Sequence, residues 1–578
     1  MYDSRKTTFR LFVLAEVLVL AAAVLFGNIK YEVSDDFLME ALLSGAFNGA
    51  PDYRILFSNP ILGWILTLFY KFAPQISWYF ICHLVTAFFS YLCVAYIAAK
   101  TLPRGKAFCV VAAITFFTVQ DVYLLPQFTK IAAFAVMTGG SLFLCGILMP
   151  ECRRGMIPGA LVLIAGYLIR HQTIYIALPF LGLFLFERIL SSSHKGKMVL
   201  RLLAGIGVLT AIVLAVFFAG RTINRSDPAH AEYYQWNVVR ARISDYPKPE
   251  YSKCADKFEA IGISENDYEL ICKWAFTDYD YFTIEKMREV SAVLEDYRAA
   301  HPRTAYEMFR SVWSRRAMFY PGALCSIFFG IFFMIYHPKK WWLPILAAGG
   351  IAAYFLYFAY TGREVYRVEC ACYFYSSVML ACECCTEEGD VIPGPLRIPA
   401  MILAVCLCLA HGYVYIPEAG WKNKTAEQMQ EDIKEMYHYS WKYDVKKYKN
   451  TVAYGVPYRE FFAEVNKHPE NTYFMDFDTT IQSVYYQFSP LQSADDVWPE
   501  NLVYLGGVTY HHPGMDLVIN KRGFEDWDEA LLSGDTVFLV CDGEIGIYET
   551  YFREHYSNTF HAERVKTLDG LDIYRIAP

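Results

Sequence analysis

A series of long, nearly uncharged apolar runs restricts the fold of this chain more than any other feature. After a first run at 11–26 come runs at roughly 77–99, 107–119, 129–149, 157–169, 172–190, 201–219, 316–336, 342–360, 366–385 and 397–416. Amides taken into hydrocarbon must be satisfied within their own segment, so such runs become helices. The runs at 107–119 and 157–169 fall short of the ~20 residues a crossing takes, which leaves their ends open. Composition agrees, with 55% hydrophobic and only 19% charged residues over 578 positions. The expected fold is an α-helical multi-pass membrane bundle of about eleven spans with a C-terminal soluble α/β domain. Arg5, Lys6 and Arg10 precede the first run and no small-residue cleavage pattern follows it, so it reads as a retained span rather than a signal peptide.

Positive charge orients the bundle. Lys100, Arg104 and Lys106, then Arg153 and Arg154, then Lys195, Lys197 and Arg201, then Lys339 and Lys340 occupy short loops that should all be cytosolic. They share one side only if the short apolar run at 60–72 lies in the interface instead of crossing. The outer side then holds the loop 27–76, the insert 220–315 and everything after residue 420. The expected domains are therefore a membrane domain over 1–420 and an extracytoplasmic domain over 421–578, in a cell-membrane protein.

The insert is polar, with helical stretches at Glu265–Phe276 and Thr283–Ala299, and is too long for a simple connection. Its Cys254 and Cys272 share the outer side, so a disulfide and two free thiols are both open readings, and a bridge is predicted. Residues 421–578 hold 15 Lys and Arg against 26 Asp and Glu. A charged helix over Thr425–Lys449 opens that part, followed by β-rich runs at Thr472–Phe477, Thr536–Val540 and Leu571–Ile576 and a helix at Ile545–His555. His511-His512 precedes Pro513-Gly514 and reads as a surface turn. No basic patch is interleaved with aromatics, so nucleic acid is excluded as a partner. Cys382-Glu383-Cys384-Cys385 lacks the histidine or second cysteine pair of a zinc site.

Between the first two apolar segments lies Asn28-Ile29-Lys30-Tyr31-Glu32-Val33-Ser34-Asp35-Asp36. Adjacent carboxylates at a membrane boundary must face water or a cavity, since burial in hydrocarbon costs ~3 kcal/mol each. They also suit a helix start, with Ser34 as cap and two acids at the positive end of the dipole. Other polar groups fall at the same face. Asp121 is in the second outer loop, Arg170-His171 at a later turn, and Arg363 and Arg367 in Gly362-Arg363-Glu364-Val365-Tyr366-Arg367. Arginines there can grip a phosphate through two parallel hydrogen bonds, or snorkel to the interface. Trp236–Pro247 mixes basic, acidic and aromatic groups and either covers a pocket or forms a helix ended by a turn. Glu16, inside the first run, should find a partner within the bundle.

With Ser34-Asp35-Asp36 and Asn59-Pro60-Ile61-Leu62-Gly63-Trp64, the order of parts resembles the GT-C glycosyltransferases. These have a first span, an outer loop with an acidic motif and interfacial helices, further spans and a soluble outer domain. The resemblance implies a sugar donor on a polyprenyl phosphate, held in the membrane lipid, with Asp35 or Asp36 serving the acceptor as base or binding a divalent metal. Asp121, Arg170, His171, Arg363 and Arg367 are then the substrate-binding candidates, with the metal ligands unknown. The alternative is a transporter or flippase of a lipid-linked glycan, which predicts acids and bases near mid-membrane rather than at one face. A third reading is a surface scaffold whose tail binds a partner.

Overall fold

A computed structural model of the protein describes residues 2–27, 29–46, 50–191, 195–314, 320–385, 394–415, 458–483, 489–492, 498–541 and 545–577. The helix expected over Thr425–Lys449 lies outside these residues.

The membrane part begins with α1 (Tyr2–Phe26), followed by α2 (Ser34–Ser44) and α3 (Pro60–Phe72). It continues through α4 (Trp78–Thr101), α5 (Arg104–Val119), α6 (Phe128–Leu148), α7 (Met156–Ile169), α8 (Thr173–Ser191) and α9 (Lys195–Arg225). The insert supplies α10 (Pro228–Ser244), α11 (Ala255–Ala260), α12 (Glu265–Cys272), α13 (Ile284–Ala300) and α14 (Ala305–Ser314). Then come α15 (Pro321–Tyr336), α16 (Trp342–Thr361), α17 (Tyr366–Cys384) and α18 (Gly394–Tyr415). Among the described residues nine helices are long and apolar enough to cross a membrane, and α15 and α17 occupy the two remaining expected positions.

The two short runs reach full length by tighter or looser winding at their ends. A π-helical turn, Gln120–Leu124, prolongs α5, and a 3-10 turn, Pro150–Gly155, precedes α7. At 13 residues α3 spans only ~20 Å and is too short to cross. Its Asn59 side chain accepts from the amide of Ile61, and Trp64, Leu68 and Phe72 remain exposed.

α6 and α17 form the centre of the bundle, buried along nearly their whole length. Glycine lets α6 and α7 meet closely. A Cβ on Gly139 would fall 2.5 Å from the Leu163 amide nitrogen, and one on Gly159 2.6 Å from that of Phe143. Because α17 is screened from lipid it tolerates charge, and Glu383 receives Arg188 of α8 at 3.2 Å. Glu16 is answered as expected, by the Tyr123 hydroxyl, which donates to it at 2.7 Å.

The C-terminal unit contains α19 (Arg459–Lys467), β1 (Thr472–Met475), α20 (Phe477–Ser483), β2 (Leu502–Tyr504), α21 (Pro513–Lys521) and α22 (Trp527–Leu532). β3 (Val537–Cys541), α23 (Ile545–His555), β4 (His561–Leu568) and β5 (Leu571–Ala577) complete it. The sheet order is β2-β1-β3-β5-β4, the first three strands parallel and the last two antiparallel to their neighbours. β2 and β4 are the strands the sequence pattern does not disclose. β2 has three residues, and β4 is an exposed edge reading His-Ala-Glu-Arg-Val-Lys-Thr-Leu.

Two expectations are corrected here. The Cys254 and Cys272 thiols are both free, Cys254 buried at the start of α11 and Cys272 at the end of α12. His511-His512 is not a surface turn but part of the contact between the C-terminal unit and the insert. His511 stacks on Tyr279 with ring centroids 3.8 Å apart, and His512 is fully buried beside His230 of α10. Further bonds tie the same two units, including Tyr551 to Asp278 (2.6 Å) and Tyr233 to the Val508 carbonyl (2.8 Å). The His512 ring also meets the Arg54 carbonyl of the loop before α3 at 3.2 Å. First loop, insert and C-terminal unit therefore share one face of the bundle.

Candidate active site

A cavity of about 460 Å³ opens where these three parts meet the bundle. Its wall takes Glu32 to Asp35 from the first loop, Arg170 from the turn after α7, Arg240 and Ser244 to Lys248 from the insert, and Gly362 to Arg367 from the turn before α17. Leu38, Phe57, Phe128, Cys272, Trp274, Phe477, Gly507 and Val508 complete it.

α2 begins directly at Ser34, with Val33 as its cap residue and no side-chain capping bond, so Ser34 does not play the expected role. Asp35 and Asp36 occupy its first turn, and a helical step of ~100° sends them to different surroundings. Asp35 lines the cavity, its carboxylate 3.8 Å from the Arg367 guanidinium. Asp36 points into the protein, is fully buried, and accepts from the Tyr79 hydroxyl and the Phe128 amide, each at 3.0 Å. Burial raises the pKa of Asp35, with Arg367 and Arg170 pulling the other way. Burial holds the Asp36 carboxyl well above its usual range.

The basic groups differ in what they already hold. Arg363 pairs with Asp245 at 2.6 Å, and Arg240 reaches the other oxygen of that carboxylate at 3.5 Å while lying 4.9 Å over the Trp274 ring. Arg170 lies over Phe57 and Phe128, at 5.3 and 5.1 Å, and burial lowers its pKa to about 10. Lys248 touches the Ser244 carbonyl at 3.4 Å, and its pKa is also lowered by burial. Among the described residues neither Arg170 nor Lys248 forms an ion pair, whereas Glu32 is bound by Lys130 (2.6 Å) and Glu364 by Arg303 (3.5 Å). The unneutralised charge of the cavity is thus positive, and it suits an anion.

Of the substrate-binding residues expected from sequence, Arg170, Arg363 and Arg367 come together with Asp35. Asp121 lies behind the wall, where Lys130 (2.9 Å) and the Tyr366 hydroxyl (2.9 Å) bind it. His171 is outside the lining and packs near Tyr167 and Phe217. The Trp236–Pro247 segment lines the cavity through Arg240 and its last four residues.

Lys248, Trp274, Phe477 and the Gly507-Val508 turn are the contributions that sequence reasoning missed. The backbone gives a signal for some of them. Trp274 has φ 63°, unfavourable for a bulky residue, and its carbonyl accepts from the Gly507 amide at 3.3 Å. Gly362 has φ 74°, and a Cβ there would fall 2.4 Å from Pro247, so only glycine lets the insert close on the Arg363 turn.

Among the described residues two other groups have donor atoms suited to a metal, Asp52 with His230 and His512, and Asp267 with Glu554 and His555, each set within 4.8 Å. Asp35 belongs to neither. Its nearest charged partner is a guanidinium, a setting that fits an anionic ligand better than a divalent cation.

Among solved structures, the chain is similar to ArnT from Cupriavidus metallidurans bound to undecaprenyl phosphate, at 12% identity and TM-score 0.43, over 98% of this chain and 97% of that one. The apo state of ArnT gives 12% and 0.44 over the same shares. The archaeal oligosaccharyltransferase AglB from Archaeoglobus fulgidus, in complex with an inhibitory peptide and a dolichol-phosphate, gives 12% and 0.41 over 93% of this chain and 70% of that one. These likenesses are remote. No protein-family model matches the chain, and no curated protein sequence matches it significantly.

Proposed function

We propose that the protein transfers a sugar from a polyprenyl-phosphate donor to an acceptor at the extracytoplasmic face of the membrane. One observation carries this reading: the Asp35 carboxylate shares a cavity with Arg170, Arg363 and Arg367, the last of them 3.8 Å away. As the sugar leaves a lipid phosphate, negative charge grows on the phosphate oxygens, and guanidinium groups already in place stabilise it without reorganising. Asp35 takes the proton of the attacking hydroxyl, and Arg367 beside it opposes the effect of burial on its carboxyl. Arg170 and Lys248, unpaired with any carboxylate among the described residues, are the cations best placed to receive the donor phosphate.

The extracytoplasmic orientation is supported by the basic loops at the other end of the bundle. There Lys106 lies 4.4 Å over the Tyr336 ring, and Lys340 pairs with Glu187. Their position is the one the positive-inside rule gives to the cytosol.

The test is purified protein in proteoliposomes, supplied with a panel of labelled polyprenyl-phosphate sugars and a lipid extract of cells lacking the protein as acceptor. Label is expected to move to an acceptor with wild-type protein and not with Asp35→Asn. A lipid-linked sugar that crosses the bilayer chemically unchanged, with no transfer from any donor, would replace this reading with transport.

A further inference from the structure

The polar insert ends in a helix whose surface is not that of a water-soluble segment. In α14, Tyr306, Phe309 and Trp313 are 70%, 61% and 62% exposed. Their spacing of three and four residues puts them on one stripe, and Phe309 and Trp313 stack with ring planes 20° apart. Glu307, Arg310 and Ser314 form the adjoining stripe, and Met308, Ser311 and Val312 the half-buried one.

The height of this helix is fixed. The Ser311 hydroxyl donates to Glu364 at 2.6 Å, and Arg303, just before α14, donates to the Ala359 carbonyl at 2.9 Å. α14 therefore lies across the last turn of α16, where that span leaves the hydrocarbon. On α16 itself Leu356, Tyr357 and Tyr360 are exposed in the same way. The two sets of side chains make one aromatic and apolar surface at the level where Trp and Tyr collect in membrane proteins.

We propose that α14 is an interfacial helix, its Tyr306–Phe309–Trp313 face seated among the headgroups and first acyl carbons of the leaflet on the cavity side. The occupant is the bilayer because the aromatic face continues the lipid-facing surface of a span. Arg310, on the neighbouring stripe, can reach the lipid phosphates while its stem lies along apolar surface. The membrane then bears on the cavity. Glu364 lines the cavity beside Arg363, and α14 grips it through Ser311, so the seating of α14 holds the rim of the site.

The test places an environment-sensitive fluorescent amino acid at position 307, 309 or 313 of the full chain in phospholipid nanodiscs. Labels at 309 and 313 are expected to be quenched by lipids carrying a nitroxide near the headgroup, and to be several-fold less accessible to iodide than a label at 307. In the unmodified protein, a phospholipid with a diazirine near its headgroup should mark the peptide covering 303–314. Iodide access at 309 and 313 equal to that at 307 would overturn the proposal. So would protection from iodide without nitroxide quenching, which would mean that protein, such as a second copy, covers the face.

Discussion

The guanidinium of Arg367, in the first turn of α17, stands 3.8 Å from the carboxylate of Asp35, in the first turn of α2. Two helix starts far apart in sequence thus bring an acid and a cation to one cavity wall. Asp36, next in the chain, has no share in that wall.

The two acids should therefore fail in different ways. Asp35→Asn is expected to lower transfer by ~100- to 10,000-fold, the usual worth of a general base, with the melting temperature nearly unchanged. Asp36→Ala leaves the Tyr79 hydroxyl and the Phe128 amide without their acceptor, at a cost of ~1–3 kcal/mol each. Thermal unfolding and transfer measured on both variants separate the roles. Full activity in Asp35→Asn would remove the base assignment.

Activity should depend on pH through Asp35. Burial raises its pKa, and a base must be ionised, so kcat is expected to fall as pH drops through that raised value. Replacing Arg367 by Gln removes the charge that holds the pKa down and should move the acid limb of the profile to higher pH. An acid limb that stays in place in Arg367→Gln would contradict the pairing.

The arginines should act on the donor. Arg363→Lys loses the planar fork and the 2.6 Å bond to Asp245, and Arg170→Gln loses a cation that forms no ion pair among the described residues. A hydrogen bond to a charged group is worth ~1.5–3 kcal/mol, so the donor KM should rise by ~10- to 100-fold. The acceptor KM should change less. Equal effects on both substrates would point to a general loss of structure.

The contact between insert and C-terminal unit should weaken in acid. Burial lowers His511 and His512 to about 4 from 6.5, so their contribution is complete above 6.5 and lost as pH falls toward 4. Asp516 works in the opposite sense. Burial raises it to about 6 against the hydrogen bond from Tyr279, so its contribution is complete below 3.8 and lost as pH rises through 6. Asp516→Asn removes this offset and should make the loss of thermal stability between pH 7 and pH 5 steeper than in wild type. Parallel curves for the two proteins would refute the assignment.

Gly159→Val tests the close approach of α6 and α7. A Cβ there already overlaps the Phe143 amide nitrogen at 2.6 Å and the Gly139 carbonyl at 2.7 Å, both backbone atoms with little freedom to move. Lower thermal stability in detergent is expected, whereas Gly182→Val, with open space around it, should be neutral.

Much of the fold was written in local pattern. Apolar runs gave the membrane helices because hydrocarbon demands helix over a fixed length, and the runs at 472–477, 536–540 and 571–576 gave β1, β3 and β5 because buried strands are apolar. The acidic pair at 35–36 and the arginines at 170, 363 and 367 were legible too, as charges at the edge of apolar runs. Tertiary structure alone decided which of those charges meet. Asp35 and Asp36 are chemically identical neighbours, and only the packing of α2 on Tyr79 and Phe128 sends one inward and the other to the cavity. Lys248, Trp274 and Phe477 join the site through contacts between remote segments, which leave no periodicity in the chain. For α14 the spacing of Tyr306, Phe309 and Trp313 marks an aromatic stripe in the chain, but its place beside the membrane follows only from Glu364 and the end of α16.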